Sequence, residues 1–120
     1  MNDKRQHPRY AIELDAAITT DDGQVNGRTS DLSRGGFCML ARQAIPVSTT
    51  CRVRLALVFP DNQFSEHLEL ASTVVWCTKV KSVFQIGVKF GPLNPQNRQY
   101  LELFIKFLDE SAGEEEDEAT

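Results

Sequence analysis

The sequence predicts an all-β domain, an antiparallel barrel or sandwich of six strands, followed by one helix. Three observations carry this prediction. A hydrophobic period of two recurs from residue 10 to residue 90, short turn signals separate the runs, and the period lengthens after Asn94. A chain of 120 residues is one ordinary domain. Its 41% hydrophobic and 25% charged residues match a globular protein and argue against a disordered or fibrous one.

The first strand spans Tyr10 to Thr20, where Ile12, Leu14, Ala16 and Ile18 alternate with Glu13, Asp15 and Thr19. Asp21-Asp22-Gly23 then forms a hairpin turn, since Asp and Gly tolerate positive φ. The polar run Gln24 to Asp31 returns from it, and Gly35-Gly36 precedes Phe37 to Arg42, with Phe37 and Met39 on one face. Thr50 to Phe59 places Val53, Leu55, Leu57 and Phe59 opposite Arg52 and Arg54, and Pro60-Asp61-Asn62 turns the chain. His67 to Val80 is long and rich in β-branched residues, and Val83 to Phe90 points Phe84, Ile86, Val88 and Phe90 inward.

Asn94-Pro95 reads as an N-cap with proline at the first helical position. Tyr100, Leu103, Phe104, Phe107 and Leu108, widened by Leu101 and Ile105, form the apolar stripe of a helix ending near Glu110. Three regions follow: a flexible N-terminal arm (1–9), a barrel with its helix (10–110) and a disordered acidic tail (111–120).

The net charge of −4 divides unevenly. Seven of the 17 acids lie after Leu108, with no base among them, so ten acids face all 13 bases over residues 1–108. The body is therefore mildly basic at +3, able to accept an anion but short of a DNA-binding footprint. No apolar run is long enough to insert in a membrane, and residues 1–10 do not read as a secretory signal, so a cytoplasmic protein is expected. Three widely spaced cysteines, Cys38, Cys51 and Cys77, make no disulfide framework, and with His7 and His67 they lack metal-ligand spacing. No phosphate-binding glycine loop, paired carboxylates or activated nucleophile is present, so no enzyme and no cofactor are expected.

Two segments stand apart. Arg5 and Arg9 lie four residues apart ahead of the first strand, and Asp31-Leu32-Ser33-Arg34-Gly35-Gly36 joins two strands. Arginine offers a planar fork of donors that fits phosphate oxygens, or guanine O6 and N7. Asp31 can accept from the amino and imino hydrogens of a guanine, Ser33 can donate or accept beside it, and Pro8 stiffens the arm. Gly36, with Gly35, is expected to supply positive φ and a close approach of backbone to ligand. The alternative for each segment is a solvated basic tail and an Asx or Ser turn.

These segments match the RxxxR and [DN]xSxxG motifs of the PilZ family, bacterial receptors for cyclic di-GMP. Val74-Val75-Trp76, the strand Gly87-Val88-Lys89-Phe90 and the terminal helix also resemble that family, over roughly residues 4 to 108. The resemblance implies a six-stranded antiparallel β-barrel with the C-terminal helix packed on it. It implies cyclic di-GMP bound by Arg5, Arg9, Asp31, Ser33 and Gly36, with Lys4, Arg34, Gly35 and Trp76 as secondary candidates. Trp76 has two readings: strict alternation puts it in the core with Leu70 and Val74, whereas a bulge would turn it toward the ligand.

The implied mechanism is a switch in which the arm orders over the ligand and presents a surface to a protein partner, the chain itself being a monomer. Family members binding a stacked ligand pair carry an arginine where this chain has Lys4, which leaves one or two ligands open. Two other readings use the same fold. One is a protein-interaction module that does not bind the nucleotide; the other is an oligonucleotide-binding barrel, which needs aromatics on its open face.

Overall fold

In the computed structural model, which describes residues 8–58 and 65–119, the alternating runs become seven strands and one helix. The strands are β1 (Tyr10–Ala11), β2 (Asp15–Thr20), β3 (Gly23–Ser33), β4 (Gly36–Ala41), β5 (Thr50–Val58), β6 (Ser65–Val80) and β7 (Val83–Phe90). The helix α1 spans Pro95–Ala119. All pairings are antiparallel, and the order β3-β2-β5-β6-β7-β4 closes on itself through β3–β4. Six strands therefore form a barrel, and β1 is an extra strand on β3.

The predicted first strand is thus two strands, and the reason lies in Thr29. β3 pairs with β2 from Gly23 to Arg28 and with β1 at Asp31 and Leu32, and its register against β4 slips at Ser30. The Thr29 hydroxyl, fully buried, accepts the Leu14 N–H at 2.8 Å and donates to the Ile12 carbonyl at 2.5 Å. These bonds satisfy the backbone of Ile12–Leu14 where the regular ladder stops, as buried peptide groups require.

Alternation holds elsewhere. Val53, Leu55 and Leu57 of β5 fill the barrel with Ile18, Leu32, Phe37, Met39, Leu68, Val74 and Ile86, while Arg52 and Arg54 face out. Each such side chain contributes about 1.5–3 kcal/mol on burial. Tight turns link the strands: Gly23 has φ 133°, and Lys81, in the two-residue β6–β7 turn, has φ 58°. The expected Pro60-Asp61-Asn62 turn and Phe59 lie outside the described residues.

Asn94 caps α1, its Oδ1 accepting the Asn97 N–H at 2.7 Å, and Asn97 Nδ2 donates to the Glu69 carbonyl of β6. The buried face is Leu101, Phe104, Ile105 and Leu108, one residue round from the predicted stripe, so Leu103 is half exposed. The helix backbone continues to Ala119, past the expected end at Glu110, through a segment rich in the good helix formers Glu and Ala. No helix among the described residues is long and apolar enough to cross a membrane.

Thr29→Val keeps the shape and removes both hydroxyl bonds. It is expected to lower the unfolding free energy by about 1–3 kcal/mol in urea titration, because the buried Leu14 N–H loses its partner. A change below about 0.5 kcal/mol would contradict the role given to Thr29.

Candidate functional site

The extra strand builds the site. Because Ala11 pairs with Asp31, the residue just ahead of β1, Arg9, comes alongside β3. Its Nη1 donates to Asp31 Oδ1 at 2.5 Å, with both side chains about 30% exposed (31% and 29%). The pair is neither sealed nor fully solvated, so both groups remain open to a ligand. The rest of the arginine segment, with Lys4, Arg5 and His7, lies outside the described residues.

Asp31 begins a row across four strands. Its partner on β4 is Cys38, the partner of Cys38 on β7 is Gly87, and that of Gly87 on β6 is Trp76. Directly paired residues share a face of a sheet, and three strand spacings make the row roughly 14 Å long. Trp76 joins it because β6 bulges between Val74 and Trp76. Val74 stays in the core, and Val75 and Trp76 both turn outward. Strict alternation therefore fails here.

The indole then lies over Gly87, where any Cβ would collide with its ring. Cys38 is buried between these ends. Loss of solvent pushes its thiol above its ordinary value; the Ser30 hydrogen bond and the Arg9 charge oppose this more weakly, and the Asp31 charge adds to it. A cavity of about 950 Å³ runs along β3 and β4, lined by Ala11, Ile12, Arg28, Ser30, Leu40 and Arg42 among others and by no residue of the row.

The turn between β3 and β4 holds the other predicted residues. Ser33 is buried, and its hydroxyl accepts the Gly35 N–H at 3.1 Å and donates to the Gly36 carbonyl at 3.4 Å. It locks the turn rather than facing solvent. Neither Gly35 nor Gly36 has positive φ, contrary to expectation. Gly36 is required for another reason: a Cβ there would collide with the Val88 carbonyl of β7. Arg34 Nε lies 3.0 Å from both carboxylate oxygens of Glu102 on α1, and the Tyr10 hydroxyl donates to Asp109 Oδ1 at 3.0 Å. Burial, and then the Asp109 contact, push the Tyr10 phenol above its ordinary value.

A family model for the PilZ domain matches residues 3–107, nearly all of this architecture. The chain belongs to the PilZ domain family. Members of this family are cyclic di-GMP receptors or adaptors, not enzymes. Among solved structures, Escherichia coli YcgR in complex with c-di-GMP aligns with a TM-score of 0.74 at 16% identity, over 98% of this chain and 51% of that one. The isolated PilZ domain of YcgR with c-di-GMP aligns at 0.69 and 17% identity, over 96% of this chain and 98% of that one. The Bacillus subtilis inhibitor of motility MotI/DgrA aligns at 0.73 and 15% identity, over 88% and 51%. The chain thus spans about half the length of full-length YcgR and MotI. No curated protein sequence matches.

Within this PilZ barrel, the structure brings Arg9, Asp31 and Trp76 to one outer row and places Ser33, Gly35 and Gly36 in the adjoining turn. Sequence reading placed Cys38 only among the cysteines and Gly87 only in a family-like strand; their place in this row becomes visible through strand register. His67 sits 3.5 Å from Arg54 on another face, and no group of metal-binding side chains occurs among the described residues.

The single tryptophan makes the row testable by fluorescence. Gly87→Ala is expected to lift the indole off β7 and red-shift its emission, with circular dichroism unchanged. An unshifted spectrum would contradict the stacking of Trp76 on Gly87.

Proposed function

We propose that this chain is a cyclic di-GMP receptor and adaptor, whose ligand lies along the outer row from Arg9 and Asp31 toward Trp76. The observation that carries this reading is the half-exposed Arg9–Asp31 pair at one end of a row on a PilZ barrel. The YcgR structures, solved with c-di-GMP on the same fold, support it.

Each group has a task that its chemistry fits. Arg9, with Arg5 and Lys4 of the preceding arm, offers donors to phosphate oxygens or to guanine O6 and N7. Asp31 accepts from a guanine edge, which a base cannot do. Ser33 and Gly36 act by shaping the turn, since their polar groups already serve it. Gly35 and Arg34 complete that turn, and Trp76 offers a flat apolar surface to a base.

Arm ordering would be felt at once by α1, because Tyr10 and Arg34 bond to Asp109 and Glu102. A protein partner reads that change, in control of motility, biofilm or exopolysaccharide.

Isothermal titration with cyclic di-GMP is expected to show sub-millimolar binding. Arg9→Ala and Asp31→Ala should each weaken it more than tenfold, a loss of about 1.4 kcal/mol or more. Wild-type affinity in both folded variants would overturn the site. No binding by the wild-type chain, with a partner recovered by pull-down, would instead favour the interaction module that has lost its ligand.

A further inference from the structure

β6 is longer than the barrel needs. β5 pairs with it only from Ser65 to Thr73, and Thr49 and Ser48 bond to Val74. From Trp76 to Val80 its pairing is with β7 alone among the described residues, and Val75 is the bulged residue between. The two-residue turn at Lys81-Ser82 makes Val80 and Val83 a hydrogen-bonded pair. Counting back, the peptide groups of Val80, Thr78 and Trp76 bond to β7, so those of Cys77 and Lys79 point away from it. Among the described residues they make no other backbone bond. This is an open sheet edge, and Trp76, Val80 and Val75 beside it are 38%, 39% and 44% exposed.

We infer that this edge pairs with its counterpart in a second copy of the chain, as an antiparallel two-fold dimer centred on Thr78. Symmetry and hydrogen-bond parity leave three registers. Centring on Lys79 sets two lysines face to face, which is destabilising. Centring on Cys77 sets Val80 against Val74, whose peptide groups already bond to Ser48 and Thr49, and the bulged Val75 against Lys79. Centring on Thr78 sets Cys77 and Lys79 as hydrogen-bonded partners twice over. It also pairs threonine with threonine, a combination that favours pairing, and sets the Trp76 and Val80 backbones opposite each other at both ends, with the indole lying back over Gly87.

The edge is self-complementary in this register alone, so a second copy is the occupant it fits. A contact this short buries less than the roughly 1,000 Å² of a stable interface, so the dimer is weak and concentration-dependent. The inference stands independently of ligand binding.

Two measurements on the full chain test it. Sedimentation equilibrium from about 10 μM to 1 mM should show the mass rising toward twice the monomer, as expected of a weak interface. Lys79→Pro, which removes an N–H that serves no bond among the described residues, should hold it at the monomer value. In a Cys77→Ser background, Thr78→Cys should cross-link under mild oxidation at least tenfold faster than Val80→Cys. The paired Thr78 backbones approach to about 4.5 Å, while the two Val80 positions lie roughly 14 Å apart. Cys38 and Cys51 are buried and do not compete.

A monomer at every concentration would overturn the inference. So would association unchanged by Lys79→Pro, or equal cross-linking of the two cysteine variants, which keeps the test decisive if the proline variant misfolds.

Discussion

The structure turns on one irregularity in β3. A single strand serves two partners along the same edge, β2 over its first half and β1 over its second, and the slip at Ser30 marks the change. Thr29 makes the change possible by replacing the missing ladder bonds with its own hydroxyl. Without β1 on β3, nothing would hold Arg9 beside Asp31, and two motifs more than twenty residues apart in sequence would have no common place.

From there the sheet extends the candidate site by register alone. Asp31, Cys38, Gly87 and Trp76 fall in line because four antiparallel strands are paired, and the bulge in β6 brings the tryptophan onto that line. Small side chains in the middle leave the row flat between a charged end and an aromatic one. The helix is tied to the charged end through Glu102 and Asp109, so the same polar contacts that position α1 also adjoin the site.

Much of this was legible in the sequence, because it depends on local pattern. Alternation placed Val53, Leu55 and Leu57 inside and Arg52 and Arg54 outside, and Asn94 announced the helix. What escaped depends on partners distant in the chain. The break after Ala11 is imposed by Thr29 and the need for Gly36 by the Val88 carbonyl, while the two readings that the sequence left for Trp76 are decided by the bulge against β7. Ser33 was legible as a polar residue of a turn, yet only the folded turn reveals that its hydroxyl is already spent there. Leu103 shows the same limit on a helix, where the buried stripe is chosen by what α1 packs against.

The most direct test of the account is an amide and indole NMR titration of the full chain with cyclic di-GMP. The account predicts the largest shifts at Arg9 to Ala11, Asp31, Cys38 and Gly87 and at the Trp76 indole, with β5 residues such as Arg52 and Arg54 unmoved. Shifts centred on β5, or none along the row at saturating ligand, would contradict it.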